Sequence, residues 1–526
     1  LVIELPGGMM RNGIAVGLLA GALALVNAVP AQAGSDNRAP IAHVETGLLR
    51  GGETDGVDSF LGIPYAAPPV GPLRWRAPQP APSWAGVRDA TAYGNRCPAA
   101  ASSNGPRSET EDCLFLNVQR PAHVHSGQKL PVYFWIHGGG LQNGSSNQHD
   151  GSLIVSRTGA VVVTINYRLG AFGFLAHPGL TAEGGQSGDY GLLDQQAALR
   201  WVQRNIAAFG GDPRQVTIGG ESAGGWSVCA HLAAPGSRGL FHAAMIQSGS
   251  CVSEPLAQAE QSGTATAQAL GCADPATAVA CLRALPAGRL VDAQVNPQFV
   301  HGVPALPQAP DVAVHTGAFA RVPVVIGANR DEGRTFTAGF IGQTREAYEG
   351  FVRATFPDRA DAVLARYPWP ADADRFTAAY LAGAIYTDGG LVARIGGCPN
   401  LDLTRTFARY TRTYAYEFDH RTGPGLTPIP GYVWGAGHAA ELAYLWPSFD
   451  NGTPIAPTFT PAERRLAEDM VDAWGGFVRD GRPAGRMPWP NLTGTGLVLS
   501  LRTGGSPLVS DTALAAEHNC DLWGTP

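Results

Sequence analysis

The chain has 526 residues, 44% of them hydrophobic and 15% charged, which is ample material for a large buried core. A formal net charge of −6 gives no reason to expect nucleic acid or an acidic surface as a partner. The basic residues are almost all arginine, with Lys129 the lone lysine, which reads as coding bias more than a binding surface.

At the N-terminus, Arg11 precedes the apolar stretch NGIAVGLLAGALALVNAVPAQA, which closes on Ala31-Gln32-Ala33. A short positive region, an apolar core and an A-x-A exit predict a secretory signal peptide cleaved after Ala33. Glycines dilute the run, and Asn27 and Pro30 interrupt it, so it is short for a membrane span. Residues 1–33 are read as an N-terminal extension plus signal peptide, with Leu1–Gly8 irrelevant to the fold. Residues 34–526 are read as one domain, secreted to the periplasm or beyond, with no membrane attachment after cleavage.

The Pro-rich segment Tyr65–Trp84 carries Trp75 and Trp84, which predicts an ordered, surface-hugging connection in place of a flexible linker. LPVYFWIHGGG reads as a buried strand ended by glycines, and GAVVVTINYRLG as a second. LLDQQAALRWVQRNIAAFGG has helical spacing, with Leu193, Ala197, Leu199, Val202 and Ile206 roughly on one side and Gly210 as its stop. QVTIGG is a third strand, and ESAGGWSVCAHLAA then turns helical. FHAAMIQSGS, VPVVIGANRDEG and RTYAYEFDH read as later strands. Strands alternating with helices predict an α/β protein with a mostly parallel central sheet and helices on both faces. Sites in such sheets lie beyond the carboxyl ends of the strands. His137–Gly140, Ser222 and Glu332 all fall there.

Eight cysteines fit export to an oxidising compartment, and none has C-x-x-C spacing. Metal binding and thiol redox chemistry are therefore poorly supported, and no metal site is expected.

Gly220-Glu221-Ser222-Ala223-Gly224 is G-x-S-x-G between a strand and a helix. Its glycines let the serine adopt a backbone conformation that bulky neighbours would block, leaving Oγ exposed. The helix that follows aims its first amides at the same spot, which favours an anion there. His137-Gly138-Gly139-Gly140 closes an earlier strand with amides that no side chain shields, and with the Ala223 amide it can form an oxyanion hole. A base downstream of the serine comes from His315, His420 or His438. His438 sits on a Gly-rich turn that suits a held ring, whereas His420 ends a strand in a polar run and reads as a surface residue. For the acid, Asp331 and Glu332 adjoin on one turn, and chemistry alone does not choose between them.

Taken together, the chain resembles a type B carboxylesterase of the α/β-hydrolase superfamily. FGGDPRQVTIGGESAG (Phe209–Gly224) matches the family's active-site serine signature, and EDCLFLNV (Glu111–Val118) its second signature, with Phe115 where Tyr is more usual. FLGIPYAAPPVGPLRW, NYRLGAFGFL, GDYGLLDQQAALRWVQ, GANRDEG and GHAAELAY resemble further family blocks in the expected order, so the likeness runs from about Val44 to Trp523. The resemblance implies an α/β-hydrolase fold and a serine hydrolase of carboxylic esters that needs no cofactor and takes a small-molecule ester as its partner. It implies Ser222 as nucleophile, Glu332 as triad acid, His438 as base, and the Gly139, Gly140 and Ala223 amides as oxyanion donors. It also implies the disulfides Cys97–Cys113, Cys272–Cys281 and Cys398–Cys520, leaving Cys229 and Cys251 over, with a fourth bridge open.

Two departures from the family pattern concern the pocket. Leu141 follows the glycines where many relatives carry an aromatic, and Trp226 is bulkier than expected; it reads either as core packing or as a pocket wall. The loop from Cys97 to Cys113 is short and has no aromatic, so cation–π recognition of a choline ester from it is unavailable. A non-catalytic binding relative of this fold is expected to lose a triad member, and none is lost here. A lipase is expected to carry a long amphipathic lid, and no obvious one is found.

Overall fold

The computed structural model describes residues 39–524 apart from 126, 294, 427, 428 and 451, so the stretch read as a signal peptide lies outside the described residues. Among the described residues, eleven strands form one sheet. In chain order they are β1 (Gly52–Thr54), β2 (Val57–Pro64), β3 (Phe115–Pro121), β4 (Leu130–Ile136), β5 (Val161–Ile165) and β6 (Gly211–Glu221). They continue with β7 (Ala243–Gln247), β8 (Val324–Asn329), β9 (Thr413–Phe418), β10 (Leu497–Leu501) and β11 (Leu508–Ser510). Across the sheet the order is β11-β10-β9-β8-β7-β6-β4-β5-β3-β2-β1. Every pairing from β10 to β5 is parallel, and the pairings at both edges are antiparallel. This mostly parallel sheet agrees with the expectation from sequence. The antiparallel edge strands β1 to β3 were not foreseen.

The apolar runs that predicted the strands carry no polar face because both sheet faces are covered. Alternate side chains sort into two cores, as the two-residue strand period requires. Val132, Phe134, Ile136, Val163, Ile218, Ile246 and Ile326 enter one core, under the helices α1 (Tyr190–Asn205), α2 (Ala223–Ala233) and, further along the chain, α4 (Gly397–Ala408). Tyr133, Trp135, Val162, Met245, Val325 and Tyr416 enter the other, against Leu466, Met470, Trp474 and Phe477 of α5 (Pro461–Asp480). The helix α3 (Thr377–Gly389) lies before α4 and buttresses the segment after β8.

Local chemistry sets the helix ends. Thr460 and Glu463 form a reciprocal capping box at α5, Pro461 occupies its first turn, and Gly481 closes it in a left-handed conformation. The α1 helix differs from its reading. Leu193 and Ala197 are only half-buried, whereas Asp194, Gln195 and Gln196 are buried. The reason is polar partnering inside the core, since Asp194 accepts from both Nε and Nη2 of buried Arg168 at 2.8 and 2.7 Å, and Gln195 donates Nε2–H to Ser227 Oγ while its Oε1 accepts from His231 Nε2. The Pro-rich connection is ordered as expected, with Trp75 buried and donating Nε1–H to Ala171 O at 2.7 Å.

From Ala39 onward the chain forms one compact unit. The structure pairs Cys97–Cys113, Cys272–Cys281, Cys398–Cys520 and also Cys229–Cys251, leaving no free cysteine among the described residues. The last of these ties α2 to the segment after β7. No helix among the described residues is long and apolar enough to cross a membrane.

Candidate active site

The nucleophile candidate sits where β6 ends and α2 begins. Ser222 has φ 55° and ψ −123°, a strained conformation for a residue with a Cβ, costing on the order of 1–3 kcal/mol. Its amide donates to Gln247 O at 2.9 Å and its carbonyl receives Trp226 N at 3.0 Å, so the turn is held from both sides. Gly224 is dictated by close approach, since a Cβ there would stand 2.1 Å from Ile136 O. This is the physical content of the G-x-S-x-G pattern: strand β4 runs too near the elbow to admit a side chain.

The acid and the ring come from two other strand ends. After β8, Glu332 is fully buried; its Oε1 accepts the Asn329 amide at 2.7 Å and its Oε2 lies 2.6 Å from His438 Nδ1. After β9, the loop carrying His438 brings Nε2 to 2.8 Å from Ser222 Oγ. An ionised carboxylate only accepts, so Nδ1 donates to Glu332 and Nε2 is left free to accept the serine proton. The structure thus brings Ser222, His438 and Glu332 into one hydrogen-bonded chain.

Asp331 has a different task. It exchanges hydrogen bonds with Ala436, Asp331 N to Ala436 O at 2.9 Å and Ala436 N to Oδ2 at 3.0 Å, and grips Arg421 with both oxygens at 2.7 and 2.8 Å. It therefore latches the histidine loop to the acid turn.

Of the other two histidine candidates, His315 is exposed and meets Asp402 at 3.3 Å, away from Ser222. His420 is a correction: it is buried, not a surface residue, with Nε2 3.1 Å from Glu463 of the α5 capping box. A polar run hid it because its partner lies on a distant helix.

The loop after β4 supplies the glycines. Gly139 has φ +103° and Gly140 φ +64°, which turn the chain so that both line the cavity beside Ser222. The loop is fixed by Tyr167, whose hydroxyl donates to His137 O at 2.8 Å and whose ring stacks on His137 at 4.5 Å. Among the described residues the amides of Gly139, Gly140 and Ala223 have no protein acceptor. They are free to bind an oxygen.

Sequence reading missed a buried acidic network around the ring. Glu221 Oε1 lies 3.3 Å from His438 Nε2. Burial pushes the Glu221 carboxyl up to about 8, opposed by His438. Burial would lower the His438 imidazolium, but the Glu221 and Glu332 carboxylates outweigh it and hold it up, near 9. Glu441, raised by burial and by Glu332, accepts Asn329 Nδ2 at 2.7 Å and Gln247 Nε2 at 3.3 Å. The sequence did carry a signal for two of these groups. Glu221 is the variable position of the serine pattern, and Glu441 lies three residues after His438.

These groups open into a cavity of about 320 Å³. One part of its wall is apolar (Trp226, Phe336, Val392, Ile395, Leu442, Phe449), and another is polar but uncharged (Asn104, Gln142, Asn143, Gln148). His137 and His149 also line it, with burial pushing them down to about 4 and 3, so both are neutral. Trp226 lines the cavity, whereas Leu141 is fully buried and is absent from the lining. Among the described residues, no cluster of three or more His, Cys, Asp or Glu could hold a metal ion.

Comparison with known proteins gives a consistent picture. The carboxylesterase family model matches residues 38–523. A fumonisin B1 esterase of Sphingopyxis macrogoltabida is 36% identical over 504 residues, covering 90% of this chain and 88% of its own length. A human cocaine esterase is 34% identical over 498 residues, covering 87% of each. Among solved structures, a thermophilic PNB esterase superposes with a TM-score of 0.77 at 31% identity, over 92% of this chain and 99% of its own.

Proposed function

The chain belongs to the carboxylesterase family and is a carboxylic ester hydrolase, and from that premise we propose that it works by two-step acyl transfer on Ser222. The observation that carries the proposal is the chain of hydrogen bonds at 2.6 and 2.8 Å that joins Glu332, His438 and Ser222 from three separate strand ends.

In the first step His438 Nε2 takes the Ser222 hydroxyl proton as Oγ bonds to the ester carbonyl carbon. The carbonyl oxygen becomes an anion facing the Gly139, Gly140 and Ala223 amides, each donor contributing about 2.7–4 kcal/mol to the transition state. His438 passes its proton to the leaving oxygen, the carbon–oxygen bond breaks, and the alcohol departs from an acyl-serine. Water then gives its proton to His438 while its oxygen attacks the acyl carbon. The bond to Oγ breaks, Oγ recovers the proton, and the acid leaves. Glu332 keeps Nδ1 protonated and steadies the imidazolium throughout.

Residues 34–526 act as a single domain in this proposal. Secretion follows from the A-x-A exit at Ala31–Ala33 and is supported by four disulfides, which persist in an oxidising compartment. The test is hydrolysis of p-nitrophenyl esters from acetate to palmitate by folded, disulfide-intact protein. Turnover of soluble short-chain esters is the expected result. Preference for emulsified long chains would favour a lipase, and inactivity on all of them would overturn the reading.

The acidic network makes a second prediction. Only neutral His438 can accept the serine proton, so kcat/KM is lost as pH falls through the His438 titration. Three carboxyl groups act on the ring: Glu221, Glu332 and Glu441. Glu221→Gln removes the one that most favours the imidazolium, so the acid limb of the kcat/KM profile moves to lower pH by about one unit. An unmoved limb would show that Glu221 carries no charge while the ring titrates.

A further inference from the structure

Trp226 stands one helical turn beyond Ser222, so the two residues share a face of the helix start, and the indole lines the cavity while remaining 6% exposed. Its Nε1 is buried and has no hydrogen-bond partner among the described residues. That donor has lost water without gaining an acceptor, a cost that a phenylalanine or leucine kept only for packing would avoid. Trp135, Trp201 and Trp446 share that feature, and of the four Trp226 is the one that lines the cavity. The indole belongs at once to the core under α1, α2 and α4 and to the cavity wall. A Cβ on neighbouring Gly225 would stand 2.9 Å from Gly249 Cα, and Cys229–Cys251 ties that segment to the same helix. The wall is rigid.

The chemistry orients the substrate against this wall. The carbonyl oxygen must face the Gly139, Gly140 and Ala223 amides, and the leaving oxygen must face His438 Nε2, which protonates it. The acyl substituent then points to the end of the cavity remote from His438. The cavity residues that follow His438 in the chain, Ala439, Leu442 and Phe449, belong to the core on the α5 side of the sheet. Trp226 and Ile395 belong to the opposite core, against which Val392 packs. Giving the side that carries the histidine loop to the alcohol leaves the second group for the acyl chain.

Building on the ester-hydrolase reading, we propose that Trp226 sets the acyl-chain limit, its indole closing the acyl end of the cavity so that the preferred substrates are esters of short-chain acids. Two substrate series test this on the full chain. One varies the acyl group of p-nitrophenyl esters from acetate to decanoate, and the other varies the alcohol of acetate esters. In Trp226→Ala the ratio of kcat/KM for octanoate to that for acetate rises about tenfold or more. Trp226→Leu, which keeps apolar burial with less bulk, shifts it in the same direction. Trp226→Phe keeps the parent's ratio. The inference is overturned if Trp226→Ala and Trp226→Leu turn over acetate with an unchanged ratio. It is equally overturned if the gain appears in the alcohol series instead. A parent protein inactive on every ester would overturn the ester-hydrolase reading itself, an outcome distinct from both.

Discussion

Ser222→Ala lowers kcat on a short-chain ester by about 10⁶-fold. The size of the effect follows from the geometry. Oγ lies 2.8 Å from His438 Nε2, and the elbow conformation that holds it there is strained. The hydroxyl of Ser227, five residues on, is turned back to Ala223 O at 2.9 Å. His438→Ala costs about as much, and the double variant costs no more than either single one, because serine and ring act as one unit. A residual rate about 10³-fold above water is expected from the Gly139, Gly140 and Ala223 amides alone. Parallel measurement of thermal melting separates lost chemistry from lost fold. Additive losses in the double variant would mean that the two residues work independently, contrary to the account.

Glu332→Gln lowers kcat by about 10⁴-fold with little change in stability. The substitution is nearly isosteric, and its amide oxygen can still accept the Asn329 N–H that Glu332 Oε1 now takes at 2.7 Å. The amide nitrogen then faces His438 Nδ1 and donates to it. That forces the ring proton onto Nε2, where it blocks acceptance from Ser222. The neighbouring carboxylate provides the control. Asp331→Asn weakens the latch to Ala436 and Arg421 but leaves the Glu332–His438 contact in place, so it is expected to lower melting temperature more than kcat. Equal losses of kcat in the two variants would contradict the division of labour between these adjacent acids.

Much of the fold was legible because both sheet faces are buried. Continuous apolar runs such as VYFWI can be little else when a glycine turn follows, and α/β alternation set the layer order. The edge strands β1 to β3 were less visible because they are antiparallel and lie in Gly- and Pro-punctuated sequence. The elbow was readable from its glycines, which answer to a specific steric demand at Ile136 O. The base and the acid were not readable from residue chemistry alone. His315, His420 and His438 all looked usable, and His420 was misread as exposed because the Glu463 that buries it is a tertiary partner. Glu332 and Asp331 are adjacent carboxylates that one turn points to different partners. The resemblance to the carboxylesterases supplied both choices, and in the structure Glu332 Oε2 and His438 Nδ1 lie 2.6 Å apart. The cavity lining was out of reach, since Gln148, Phe336, Ile395 and Phe449 come from loops whose meeting is set by the whole fold.

The most direct test of the central claim is covalent labelling with a short p-nitrophenyl phosphonate, which reacts as the ester does but leaves an adduct that water does not readily release. The account predicts one p-nitrophenolate released per chain, loss of esterase activity in proportion, and a phosphonyl group on the peptide bearing Ser222, absent in Ser222→Ala. An adduct on any other residue, or esterase activity that survives complete labelling of Ser222, would contradict it.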